Sequence, residues 1–181
     1  MKELPSMRRF IDVGAHWGNH SIFALESGKF TSALCIEGSP TNFHVLESNT
    51  RYRRTRNLNV CCWDEEVTGI MELDERNKNN SGMWRFKPNP AGPVHAVTLD
   101  SILAKETGFD PPSMIKIDVE GSEQRVIAGA INTINAHSPI IAAEVVGETD
   151  LGQFNALMHD LGYVYDRLLN NSTPTHIFTA T

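Results

Sequence analysis

The stretch Ile11-Asp12-Val13-Gly14-Ala15-His16-Trp17-Gly18-Asn19 sets the reading of the whole chain. An apolar run carrying one acid passes through two glycines into a helical pattern over residues 19–27, which Gly28 stops. Glycines at such a turn let the backbone approach a ligand closely, and the first turn of a helix offers it free N–H groups. The spacing narrows the ligand. The dinucleotide fingerprint is G-x-G-x-x-G. Here Gly14 and Gly18 are separated by three residues, and Asp12 stands two before the first glycine. D-x-G-x-x-x-G fits a loop for S-adenosylmethionine (SAM) better than one for NAD.

Outward from this loop, strand patterns alternate with helical ones. Strands are expected at 9–13, 31–37, 58–62, 114–119 and 140–146, with an added hairpin strand at 67–73. Helices are expected at 19–27, from Ser39-Pro40 to about 52, and at 98–107, 122–135 and 151–161. Residues 163–169 and 176–179, joined through Asn170-Asn171, read as a closing antiparallel hairpin. The alternation predicts an α/β fold with a mainly parallel sheet.

Three further positions carry chemistry. Glu37 ends the second strand, 25 residues beyond Asp12, and Gly38 follows it. An acid there can accept bonds from both ribose hydroxyls of a nucleoside. In Met114-Ile-Lys-Ile-Asp-Val-Glu-Gly-Ser-Glu123, a period of two sets Ile115, Ile117 and Val119 on one face and Lys116, Asp118 and Glu120 on the other. Ionisable groups in a central strand are costly unless they are paired or serve a site. Both readings stand: a structural Lys116–carboxylate network, or a pocket at the strand's C-terminal end, where open sheets bind ligands. Glu144, in an otherwise apolar strand, is expected to share a pocket wall with Asp118 or to form an ion pair.

Taken together, these segments resemble the FkbM-type family of SAM-dependent methyltransferases. The resemblance rests on residues 11–19, on Cys35-Ile-Glu-Gly-Ser-Pro-Thr-Asn-Phe43, on Val97-Thr-Leu-Asp-Ser101, and above all on Ile115-Lys-Ile-Asp-Val-Glu-Gly-Ser-Glu123. It implies a Rossmann-like class I methyltransferase: a seven-stranded, mostly parallel sheet, helices on both faces, and a C-terminal antiparallel hairpin. By position it implies that Asp12, Gly14, Ala15 and Gly18 hold the methionyl part of SAM, with His16 and Asn19 also among the cofactor-binding residues. Glu37 and Gly38 would take the ribose, and Cys62, Trp63 and Asp64 would edge the adenine. Asp118 and Glu120 would face the methionine amine and the acceptor. His16 stands where the family pattern commonly has Asn. Members of the family look like O-methyltransferases acting on sugar or secondary-metabolite hydroxyls.

An alcohol needs a base in reach to give up its proton. The candidates are Glu120 and Asp118, then His16 and Glu144. No ligand spacing calls for a metal. Two alternatives are a SAM-binding module that works with a partner chain and a protein or RNA methyltransferase. A nicotinamide oxidoreductase is disfavoured by the glycine spacing. Asp110-Pro-Pro-Ser113 resembles the D-P-P-Y motif of amino-methyltransferases, but it precedes the fourth strand rather than following it, and it reads as a turn. Arg51, Arg53, Arg54 and Arg56 read as a solvated basic face at a helix C-terminus.

Composition bounds the rest. The 181 residues, at 40% hydrophobic and 21% charged, predict one folded domain over 1–181 and exclude a disordered chain. A formal charge of −6 disfavours nucleic-acid binding by bulk electrostatics. No apolar run approaches the ~20 residues of a membrane span, and no signal-like h-region follows residues 1–10. Cys35, Cys61 and Cys62 read as buried free thiols in a reducing cytoplasm. Residues 74–94 are polar and irregular but hold Met83, Trp84 and Phe86. They are a candidate lid. Because the first strand starts near Met7, the expectation is a pocket cover from this stretch or from another subunit, compatible with a homo-oligomer, or else a trimmed catalytic core.

Overall fold

The computed structural model describes residues 7–73, 83–106, 110–170 and 173–181. Its centre is β1 (Met7–Val13), flanked in parallel by β2 (Phe30–Ile36) and β8 (Pro112–Ile117). Beyond β2 lies β3 (Thr55–Leu58), and beyond β8 lies β9 (Ile140–Glu144), both parallel to their neighbours. The hairpin of β10 (Tyr163–Asn170) and β11 (Pro174–Ala180) closes the far side, with β11 antiparallel to β9 and β10. The sheet order is β10-β11-β9-β8-β1-β2-β3. The expected seven-stranded sheet is therefore present, with β11 as its antiparallel member.

Helices cover both faces, as a mostly parallel sheet demands. On one face, Phe10, Ala33 and Cys35 meet α1 (Asn19–Glu26) and α2 (Pro40–Thr50) through Ala24 and Leu46. On the other, Ile11, Val13, Leu34, Ile36, Ile115 and Ile117 pack against residues of α3 (Leu99–Lys105), α4 (Glu123–Ala128), α5 (Ile131–His137) and α6 (Glu148–Asp160). The period-two pattern thus splits each central strand between two cores. Ser39 caps α2, accepting from the Asn42 N–H, with Pro40 at its first position.

Three local expectations change. The strand expected at 58–62 ends at Leu58. There the Glu37 N–H bonds the Leu58 carbonyl (3.1 Å), and Asn59 Nδ2 donates to the Glu37 carbonyl (2.8 Å), so β2 offers no further ladder. Cys61–Cys62 instead forms β4 in a second sheet of order β4-β7-β5-β6, with β5 (Val67–Leu73), β6 (Trp84–Pro88) and β7 (Val94–Val97). This sheet has a small core of its own, built on Cys61, Trp63 and Ala96. Part of the irregular 74–94 stretch is therefore β6, while residues 74–82 lie outside the described residues.

The helix expected at 122–135 is two helices broken at Gly129-Ala130. A Cβ at Gly129 would overlap the Trp63 carbonyl oxygen, and the Gly129 carbonyl accepts from the Asp100 N–H (2.9 Å). Asp100 also caps α5, accepting from the backbone N–H groups of Asn132 (3.0 Å) and Thr133 (2.8 Å). The aspartate of Val97-Thr-Leu-Asp-Ser101 thus stitches two helices together. Ile131, expected on the apolar face, is exposed beyond the break.

The far ends of the strands carry structural charge. Arg9, buried in β1, pairs with Glu106 at 3.0 Å, and Arg56 reaches the same carboxylate at 2.6 Å. Arg53 pairs with Glu26. Asp110 pairs with Arg8, and Ser113 Oγ accepts from the Arg8 N–H (2.9 Å), so Asp110-Pro-Pro-Ser113 leads into the N-terminal end of β8, away from the crevice. Among the described residues no helix is long and apolar enough to cross a membrane.

Candidate active site

At the C-terminal ends of β1, β2 and β8 a cavity of about 460 Å³ opens, within the range of small-molecule sites. The loop after β1 forms one wall. Gly14 (φ +75°) and Gly18 (φ +85°) take left-handed conformations that only glycine adopts freely. A Cβ on Gly14 would overlap the Asp118 carbonyl oxygen, so the loop lies directly against the end of β8. Gly18 faces Leu46 and Thr50, away from the cavity. Between the glycines, His16 is itself left-handed (φ +50°) and stacks on Trp17 with ring centres 4.6 Å apart.

Glu37 accounts for the loop's shape. Its carboxylate accepts from the His16 N–H (2.8 Å) and the Ser39 N–H (2.8 Å), tying the loop after β1 to the start of α2. Burial pushes its pKa up, against the pull of these bonds. The Asn42 side chain also bonds Glu37. A carboxylate has about four acceptor directions, so Glu37 keeps one of them for the cavity that it lines. Gly38, Cys62 and Trp63 line the same space, as do Ala15 and Asn19. Trp63 is held between the Phe86 edge (5.2 Å) and the Arg125 guanidinium (5.1 Å). Asp64 pins that arginine at 2.6 Å.

Asp12 does not reach the cavity. It is fully buried beneath the loop, where Ser21 Oγ donates to it (2.7 Å) and Lys116 Nζ lies 3.5 Å away. Lys116 also bonds Asp118 at 3.1 Å. The two readings of the Lys116 strand therefore both hold. Lys116 bridges the buried Asp12 and the part-exposed Asp118, and Asp118 presents its remaining acceptor capacity to the cavity. Burial opposes the lysine's charge, but the Asp12 and Asp118 carboxylates outweigh it and hold the ammonium above its ordinary pKa.

Glu120 follows in a left-handed conformation (φ +56°), with Gly121 at φ +99°. Left-handed non-glycine residues are uncommon and concentrate at functional sites. Glu123 holds this turn by accepting from the Gly121 N–H (3.0 Å). Burial, then the neighbouring Asp118 and Glu144 carboxylates, push the Glu120 pKa up to about 7. Between its ordinary value and about 7, the folded state holds a proton that the unfolded chain has released. Lowering the pH through that window favours folding, and raising it costs stability.

Glu144 lines the wall beside Asp118, as expected, and Thr173 Oγ1 donates to it at 2.7 Å. Asp118, Glu120 and Glu144 also border a second cavity of about 530 Å³, reaching Arg85, Gln124 and Gln153. Met71, Trp84 and Phe86 of the second sheet also line the first cavity. Trp84 and Phe86 stand out in the sequence as aromatics in a polar stretch. Thr173 and Arg85 carried no signal, because only the sheet order brings them here.

The family model for the methyltransferase FkbM domain matches residues 12–165. The chain belongs to the FkbM methyltransferase family. A solved FkbM methyltransferase from Methylobacillus flagellatus KT is 19% identical, with a TM-score of 0.70 over 96% of this chain and 44% of that one. This FkbM domain therefore spans less than half of that protein. The precorrin-6y C5,15-methyltransferase of Geobacter metallireducens GS-15 is 14% identical, with a TM-score of 0.58 over 99% of this chain and 82% of that one. TrmK of M. capricolum, solved with S-adenosyl-homocysteine, is 9% identical, with a TM-score of 0.55 over 98% of this chain and 63% of that one. The fold of the FkbM domain is thus that of class I methyltransferases. No curated protein matches the sequence.

Proposed function

We propose that this chain binds SAM in the first cavity and transfers its methyl group to a hydroxyl of a small molecule, a sugar or secondary metabolite, seated in the second. The observation that carries this reading is the shared wall: Asp118, Glu120 and Glu144 border both cavities, between the glycine loop and Arg85. The residues suit SAM. A loop that packs backbone to backbone, a clamped acid at the end of β2 and an aromatic slot at Trp63 match a nucleoside. The Asp118 carboxylate matches an amine. When bound, SAM supplies an activated methyl that departs by direct displacement.

The chain's own part is to hold and to deprotonate. Glu37 orients the ribose end while keeping the loop's shape. Asp118, held in place by its bond from Lys116, meets the cationic end with the charge left over once the lysine is set against Asp12. Glu120 takes the hydroxyl proton at its carboxylate oxygen. A base poised near neutrality suits this task. The second sheet, with Trp84 and Phe86, shields the cavity from water and serves as its cover.

Calorimetry tests the binding half. S-adenosyl-homocysteine should bind the wild type, and Glu37→Ala should weaken it by at least tenfold, since Glu37 both lines the cavity and shapes the loop. Absence of binding to the wild type would sink the reading. The pH–rate profile tests the chemical half. With an acceptor in hand, kcat/KM should rise with pH through a limb near 7, where Glu120 ionises. Glu120→Gln should lose that limb and at least ~100-fold in rate, with S-adenosyl-homocysteine affinity little changed.

A further inference from the structure

We propose that the outer edge of β10 pairs antiparallel with the same edge of a second copy of this chain, extending the main sheet across a two-fold axis. This rests on the strand itself and not on the methyltransferase reading.

Among the described residues, strand β10 ends the sheet and is bonded on one side, to β11. Such edges expose unpaired N–H and C=O groups, and proteins blunt them with charge or short length. This one is long, and every residue from Val164 to Leu169 is exposed. Four are large and apolar: Val164 (45%), Tyr165 (46%), Leu168 (40%) and Leu169 (42%).

The register shows what they fit. A bulge at Asp166 shifts the pairing by one residue, so Tyr165 lies opposite Phe178 and Leu168 opposite His176. Phe178 and His176 are two apart in β11, which sets Tyr165 and Leu168 on the same face. Val164 opposite Thr179 and Leu169 opposite Thr175 share the other face by the same count. An antiparallel copy centred on the Asp166–Arg167 peptide therefore sets Tyr165 against Leu168, Val164 against Leu169, and Asp166 against Arg167. Each pair occurs twice. Residues directly opposed in a sheet must point to the same side. In an unbulged strand, residues 165 and 168 would point to opposite sides, and this self-pairing would fail. The bulge makes the edge complementary to itself in shape. Asp166 and Arg167, which pair with each other at 2.7 Å within one chain, lie on one side and exchange partners across the two-fold, which makes the edge complementary in charge.

Sedimentation velocity on the full chain provides the test. The wild type should show a concentration-dependent dimer in the micromolar range. Asp166→Arg and Arg167→Asp each create two like-charge pairs and should be monomeric, weakened at least ~tenfold. Mixing these two variants should restore a dimer, because every opposed pair is then of opposite sign. Circular dichroism checks that the variants fold; if one does not, Leu168→Lys reads the same edge and should also be monomeric. A wild type that stays monomeric throughout the range overturns the proposal. So does a dimer indifferent to the charge and Leu168 variants, or a mixture that stays monomeric.

Discussion

Gly14→Ala should unfold the chain or destabilise it by about 4 kcal/mol or more, the range reached only by severe substitutions. Two costs combine. The left-handed conformation at φ +75° penalises any side chain. The added Cβ would also occupy the place of the Asp118 carbonyl oxygen. Neither partner can retreat cheaply. The Gly14 N–H bonds the Ile36 carbonyl at 2.9 Å, and the Asp118 N–H bonds the Val13 carbonyl at 3.0 Å. Relief must come from separating β1 from β8, the centre of the main sheet. Urea denaturation of the variant beside the wild type measures the loss. Gly28→Ala is the control: its φ is also left-handed, but a Cβ there meets nothing, so only the backbone cost of about 1 kcal/mol should remain. Equal losses at the two positions would show that the contact with Asp118 contributes nothing.

Lys116→Met should cost about 3–5 kcal/mol, the usual result of removing one partner from a buried charge pair. For a domain of this size that lowers Tm by roughly 6–20 °C. Methionine fills the space of the lysine stem, so packing is conserved and the lost charge dominates. Asp12 is fully buried and would lose the ammonium beside it while keeping the hydrogen bond from Ser21. Adding Asp12→Asn to Lys116→Met should recover part of the loss, because the unbalanced carboxylate is gone. Thermal melts of the two variants decide this. If the double variant is no more stable than Lys116→Met, the lysine is not there to balance Asp12.

These two outcomes depend on features of different legibility. Gly14 and Asp12 stood out in the sequence because few arrangements other than a nucleotide loop need that spacing. The structure separates their roles: Gly14 borders the cavity, while Asp12 works beneath it through Lys116 and Ser21. Local spacing says that a residue belongs to a loop, but not which side of the loop its side chain takes. The helix break at Gly129 was hidden for a related reason. Its apolar pattern continues across the break, and only the approach of the Trp63 carbonyl and the Asp100 cap reveals why the helix stops.

By itself, the sequence determined the alternating strands and helices, the glycine loop, the acid at the end of β2 and the acidic end of β8. Each is a local pattern whose period or spacing has few physical solutions. Only the tertiary structure decided what those groups face. It brought Glu144 and Thr173 to the wall of Asp118, set Trp84 and Phe86 in the lining of the cavity, and left β10 at the edge of the described sheet. These are contacts between residues far apart in the chain, set by sheet order and by the balance of burial and charge. The pKa of Glu120 is the sharpest case. Its rise to about 7 comes from burial and from two carboxylates, one of them 24 residues away in sequence.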